Sequence, residues 1–174
     1  MEKKVYEAYF DAKDLARYIA DSYEKQYKRP ISNIKLQKSL YFLFAYWGGF
    51  VKRSQLSKNN DDLESVEISK LKPYLFNNRI EAWVYGPVVP SIYKAIKNQT
   101  EETLLASINK IKQEPFVKAF IDDLLEDIFN TSDFKLVDLA HQDECWISKF
   151  DYNAEQHNQE IDKEEIINEY STRP

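Results

Sequence analysis

The sequence predicts a mainly α-helical, compact single domain carrying a small β-hairpin or strand, on three observations. Apolar residues recur at three- and four-residue spacing through most segments, the pattern of helices with one buried face. Only three Gly and six Pro occur in 174 residues, too few turn formers for a many-stranded sandwich or barrel. Apolar types make up 43% and aromatics 14%, ample for one hydrophobic core in a chain of this length, so residues 1–174 are expected to form one domain.

Taken in order, Leu15, Ile19 and Tyr23 repeat every four residues between charged positions, which predicts a first amphipathic helix from Asp11 to about Lys25. Pro30 disfavours helix at Arg29, and Ser32 then supplies an N-cap for a second helix, with Ile31 and Leu36 spaced as a staple. That helix, Asn33 to Trp47, carries Leu36, Leu40, Leu43 and Phe44 and is apolar nearly all round towards its end, as a central buried helix would be. Gly48 and Gly49 are expected to stop it. The polar stretch from Ser57 to Glu64 reads as a loop. Between Ile80 and Tyr85 the apolar period falls to two and is followed by Gly86-Pro87, which predicts a short strand entering a rigid turn. Pro90 suits the first turn of a helix to about Asn98, and further helices are expected over 101–112 and from Pro115. In the helix from Pro115, Phe116, Phe120, Leu124 and Ile128 align beside Val117, Ile121 and Leu125, opposite Asp122, Asp123, Glu126 and Asp127. A short helix through Leu136 and Ala140 precedes His141, and Asp162 with Glu165 opens a last helix over Lys163 to Ser171.

Composition narrows the function classes. A lone Cys145 allows no internal disulfide, and the start of the chain lacks a signal-peptide pattern, so a reducing, cytoplasmic setting is expected. The longest apolar run, Leu40 to Trp47, is too short to span a bilayer, and no membrane partner is expected. Net charge is −5, divided into +6 over residues 1–99 and −11 over residues 100–174. Such asymmetry is either two solvated faces or an acidic surface that steers a basic partner.

No glycine-rich phosphate loop, nucleophile elbow or His-Glu-x-x-His motif occurs, and no catalytic residue or enzyme activity is assigned. His141 and Cys145 stand four apart, but the chain offers too few N/S ligands for a structural zinc site, so no metal or cofactor is expected; His141 capping its helix and Cys145 filling core is the preferred reading. Gln37 and Lys38 sit one turn into an apolar helix, as its solvated side or as partner contacts. Trp83, Tyr85, Gly86, Pro87 and Val88 form either a stiff structural turn or one presenting Tyr85 and Val88 to a partner. Lys25, Lys28, Arg29, Lys35 and Lys38 cluster beside Tyr23 and Tyr27 and could contact phosphates, although the acidic total disfavours nucleic acid as a partner.

Three segments in order, IKLQKSLYFLFAYW, LFNNRIEAWVYGPVVPSIYKAIK and LVDLAHQDECW, resemble the Panacea domain of SocA-like antitoxins. The matching positions are Leu36 to Tyr41, Ala82 to Val88 and Leu136 to Trp146, and the resemblance covers roughly residues 11–171. It implies a helical antitoxin of a toxin–antitoxin system that binds a cognate protein toxin directly, some members delivering the toxin to a protease. On that reading Gln37, Lys38, Trp83, Tyr85, Gly86, Pro87, Val88, Asp122, Asp123, Glu126 and Asp127 are the candidate partner-binding residues. The alternatives are a DNA-binding regulator of its own operon using the basic patch, and a phage-associated protein of another class. Monomer and homodimer both remain open.

Overall fold

A computed structural model describes residues 7–57, 67–98, 106–150 and 158–173. Of the expected 57–64 loop only Ser57 is described; of the expected helix over 101–112, residues 101–105 lie outside the described residues and, of the rest, only Asn109–Lys112 is helical.

Helix α1 spans Ala12–Tyr27; the Asp11 side chain accepts from the Lys13 N–H, and Lys28 ends it in the left-handed region at φ 58°. Helix α2 spans Asn33–Leu56, with the Ser32 hydroxyl capping the Lys35 N–H at 3.0 Å as its sequence implies. It is the central element: Leu40, Tyr41, Leu43, Phe44 and Trp47 are all fully buried.

The expected stop at Gly48 and Gly49 is wrong, since α2 continues for two further turns. The two glycines serve helix contact instead. A Cβ on Gly48 would lie 2.5 Å from Ile167 Cγ1, and one on Gly49 2.7 Å from the Tyr170 carbonyl carbon. Helix α8, Lys163–Ser171, therefore lies directly on the α2 backbone at this point. Propensity against glycine in a helix, about 1 kcal/mol each, is outweighed by the packing that only a missing side chain permits.

Strand β1, Glu81–Trp83, pairs antiparallel with β2, Gly86–Val88, and on its other edge with β3, Gln159–Glu160, giving the order β2-β1-β3. Helix α3 follows at Pro90–Asn98, then α4 at Asn109–Lys112 and α5 at Pro115–Phe129. Helix α6 covers Asp133–Ala140 and α7 Glu144–Ile147. Asp162 caps α8 through the Glu164 N–H, and its staple residues Ile161 and Ile166 are both buried. The mainly helical, compact single domain with a small sheet expected from the sequence is what forms.

Helix α5 turns further than its sequence suggests. Val117, Ile121, Leu125, Ile128 and Phe129 face the core, whereas Phe116 is 58% exposed. Phe116 and Phe120 join Trp47 and Phe50 in an aromatic cluster at the edge of the core, with Trp47 to Phe120 centroids 5.2 Å apart. Among the described residues no helix is long and apolar enough to cross a membrane.

Candidate functional site: a hairpin tip held from beneath

Val84 and Tyr85 form the tip between β1 and β2, and they are 47% and 54% exposed. The turn closes on Gly86 at φ 106°, a backbone conformation that a side chain would strain. Gly86 is also pressed from below: a Cβ there would lie 2.9 Å from Lys38 Cε and 3.3 Å from Ala140 Cβ. Gly86, Pro87 and Val88 are buried, so the sequence pattern of this block is explained by the turn it must make.

The hairpin backbone around the tip is committed to side chains from elsewhere. Gln37 makes a two-point contact with one residue, accepting from the Val89 N–H at 2.8 Å and donating to the Val89 carbonyl at 3.3 Å. Lys38 Nζ donates to the Pro87 carbonyl at 2.9 Å. From the opposite side His141 Nε2 donates to the Val84 carbonyl at 2.9 Å and Trp146 Nε1 to the Trp83 carbonyl at 2.9 Å. The His141 ring stacks on Trp146, and Trp146 on Phe150, with centroids 4.2 and 4.9 Å apart. The three sequence segments that carry the family resemblance thus meet at this one hairpin. Residues far apart in the chain are spent on fixing its backbone, and the tip side chains are left outward.

Several expectations change on this geometry. Gln37 and Lys38 are not the solvated side of their helix; they are buried, at 3% and 1% exposure, because β2 covers them. Val88 is buried rather than presented, and reaches the surface only as part of a slot wall. The His141 side chain leaves its helix and bonds the hairpin. The basic patch is thinned as well, since Lys35 is buried with its Nζ on the Phe129 carbonyl and Asp133, and Lys38 is under β2. Of the five cations, Lys25, Lys28 and Arg29 stay exposed.

A slot of about 90 Å³ opens beside the tip, lined by Asn33, Ile34, Gln37, Lys38, Trp83, Val84, Tyr85, Val88 and Tyr93. Trp83 packs edge-on against Tyr93 at 5.0 Å, and its indole N–H donates to Glu81 at 3.0 Å, which holds the aromatic wall in place. Burial pushes the Lys38 ammonium down to about 7.

The four candidate acids lie elsewhere, on α5. Asp123, Glu126 and Asp127 are exposed, whereas Asp122 is half-buried, accepting from the Tyr18 hydroxyl at 2.5 Å and pairing with Lys118 at 2.8 Å. One of the four is therefore already partnered inside the chain. Burial and the Asp122 carboxylate together push the Tyr18 hydroxyl up to about 12.

A second buried polar cluster has no counterpart in the sequence reading. Asp143, 1% exposed, accepts from Tyr41 and Tyr170 at 2.5 Å each and from Arg173 at 2.8 Å. Glu169 accepts from Arg173 and from the Glu144 and Cys145 N–H groups, so this cluster clamps α7 to α2 and α8. Asp143, Cys145 and Glu169 bring possible metal ligands within 4.8 Å, but both carboxylates are spent on these donors. Burial pushes the Cys145 thiol up to about 12, away from the thiolate that a metal needs. The donor set fits a structural clamp rather than a metal centre.

No curated protein and no solved structure matches the chain. Residues 62–147, just under half of the chain, match the family model for antitoxin SocA-like, Panacea domain, and that segment contains the hairpin and its His141 and Trp146 anchors while leaving Gln37 and Lys38 outside.

Proposed function

We propose that the whole chain is an antitoxin of the SocA-like Panacea kind, which neutralises a cognate protein toxin by direct binding and performs no catalysis. The observation that carries the reading is the hairpin: Val84 and Tyr85 stand out on a tip whose backbone is bonded from both sides by Gln37, Lys38, His141 and Trp146. A contact loop fixed before binding loses little conformational freedom when the partner arrives, which favours affinity. Exposed aromatic residues on such a support are common energetic centres of protein interfaces.

Asp123, Glu126 and Asp127 on α5 supply a negative field for a basic toxin, with Asp122 a lesser contributor because Lys118 and Tyr18 already hold it. Trp83 belongs to the contact side through the slot it lines, whereas Gly86, Pro87 and Val88 act by shaping the turn. Delivery of the bound toxin to a protease is the variant of this reading in which binding is followed by handover. Coexpression with the toxin encoded beside this chain tests it. Restored growth is expected, and failure to rescue from a verified toxin by a folded protein refutes the proposal.

A further inference from the structure

Four charged side chains are buried among the described residues, and three have a charged partner. Asp14 faces Lys110 at 3.7 Å, Lys35 faces Asp133 at 3.5 Å, and Asp143 faces Arg173 at 2.8 Å. Lys38 differs: its one described hydrogen bond is to the neutral Pro87 carbonyl, which leaves two of the three ammonium donors without a described acceptor. A buried ammonium held in this way is costly, and the same side chain lines the slot at the hairpin tip.

We infer that the slot is the receptor for one acidic side chain, an Asp or Glu of the partner toxin, which enters between Trp83, Tyr85, Tyr93 and Ile34 and pairs with Lys38. This deepens the antitoxin reading and rests on it.

Size and chemistry agree on that occupant. A slot of about 90 Å³ is on the scale of a single side chain and too small for a helix or a strand. Strand addition beside the slot is closed off at β2, because Gln37 and Lys38 already bond the Val89 and Pro87 backbone there. Lys38 is already 1% exposed with one described acceptor, so an apolar occupant would add nothing for it to bond, whereas a carboxylate supplies a further acceptor. The walls are largely aromatic and aliphatic, so the attraction acts in a medium that screens it less than water does. Asn33 also lines the slot, and its amide is a donor of the kind a second carboxylate oxygen would use. The slot also belongs to the basic half of the chain, residues 1–99 with charge +6, as an acidic partner group requires.

Acetate stands in for the side chain in a test that needs no toxin. Protein labelled with ¹³C at the lysine Cε positions is titrated, at a pH below the Lys38 midpoint, with sodium acetate and separately with sodium chloride at matched ionic strength. The expected result is a saturable shift of the Lys38 resonance with acetate alone, absent in Lys38→Met, and a Lys38 titration midpoint that rises in acetate. Equal responses to the two salts overturn the inference. In the complex, Lys38→Met is expected to weaken toxin binding roughly ten- to hundredfold, the range for a lost hydrogen bond to a charged group. Replacing one particular Asp or Glu of the toxin by its amide should cause the same loss, and no further loss in the Lys38→Met background. An acetate response combined with unchanged toxin affinity in Lys38→Met would mean that the slot takes a free carboxylate, which overturns the partner's side chain as occupant. A toxin that wild-type protein fails to bind refutes the antitoxin reading and leaves the acetate result standing by itself.

Discussion

Replacing Lys38 by Met keeps a long, unbranched side chain beneath Gly86 and removes its charge, so the variant isolates what burying the amine costs. Desolvation lowers Lys38 from 10.5 to about 7. At about 1.4 kcal/mol per tenfold, that difference corresponds to about 5 kcal/mol of destabilisation while both folded and unfolded chains carry the proton. The native state releases it near pH 7 and the unfolded state near 10.5. Between those values the unfolded chain holds more protons, so this group makes stability rise with pH across the window, and its full penalty applies below it. Met also leaves the buried Pro87 carbonyl without its Lys38 donor, a loss of about 1–3 kcal/mol. Lys38→Met is therefore expected to be more stable than wild type by about 2–4 kcal/mol below neutral pH, with the advantage shrinking as pH rises and reversing at roughly pH 8.5–10. Urea unfolding followed by tryptophan fluorescence at several pH values measures it, and the difference between the two proteins cancels other titrating groups. A pH-independent difference, or a variant less stable than wild type at low pH, would refute the reasoning.

Gly49→Ala places a methyl group against the Tyr170 backbone and is expected to lower stability by about 1–3 kcal/mol despite the better helix propensity of alanine; an unchanged melting midpoint would contradict the close α2–α8 packing. Asp143→Asn removes the charge opposite Arg173 while keeping the side-chain shape, and should cost about 3 kcal/mol in denaturant titration, near the low end for breaking a buried pair because Arg173 is partly exposed. Neutralising Asp123, Glu126 and Asp127 should slow association with a basic toxin at low salt and leave dissociation nearly unchanged, as stopped-flow measurements at two ionic strengths would record. Adding Asp122→Asn should change the association rate little further and lower stability, because Asp122 bonds Tyr18 and Lys118.

Much of the fold was legible because apolar spacing and caps are local signals. Ser32, Asp11 and Asp162 cap the helices they precede, and the period change at Ile80 marks the strand that forms. Reading Gly48-Gly49 as a stop failed because the signal is local and the reason for glycine is not: Ile167 and Tyr170, over a hundred residues later, need the space. Gln37 and Lys38 were misplaced for the same cause, since polar side chains on an apolar helix read as solvated unless a partner such as the Pro87–Val89 backbone is known. The Asp143 clamp joins Tyr41, Tyr170 and Arg173 across the chain, and no spacing rule connects them. The hairpin block was recognisable as a unit; its division into buried Gly86, Pro87 and Val88 and an exposed tip became visible only with β2 laid on α2.

The most direct test of a hairpin tip that contacts a toxin is the dissociation rate of the complex formed with the adjacently encoded toxin, measured for Tyr85→Ala and Val84→Asp. Both residues are about half-exposed, so melting midpoints should stay close to wild type and separate contact from folding. Dissociation at least roughly tenfold faster is expected in each variant, the loss for a residue at the energetic centre of an interface. Wild-type dissociation rates in both well-folded variants would contradict it and return the hairpin to a purely architectural role.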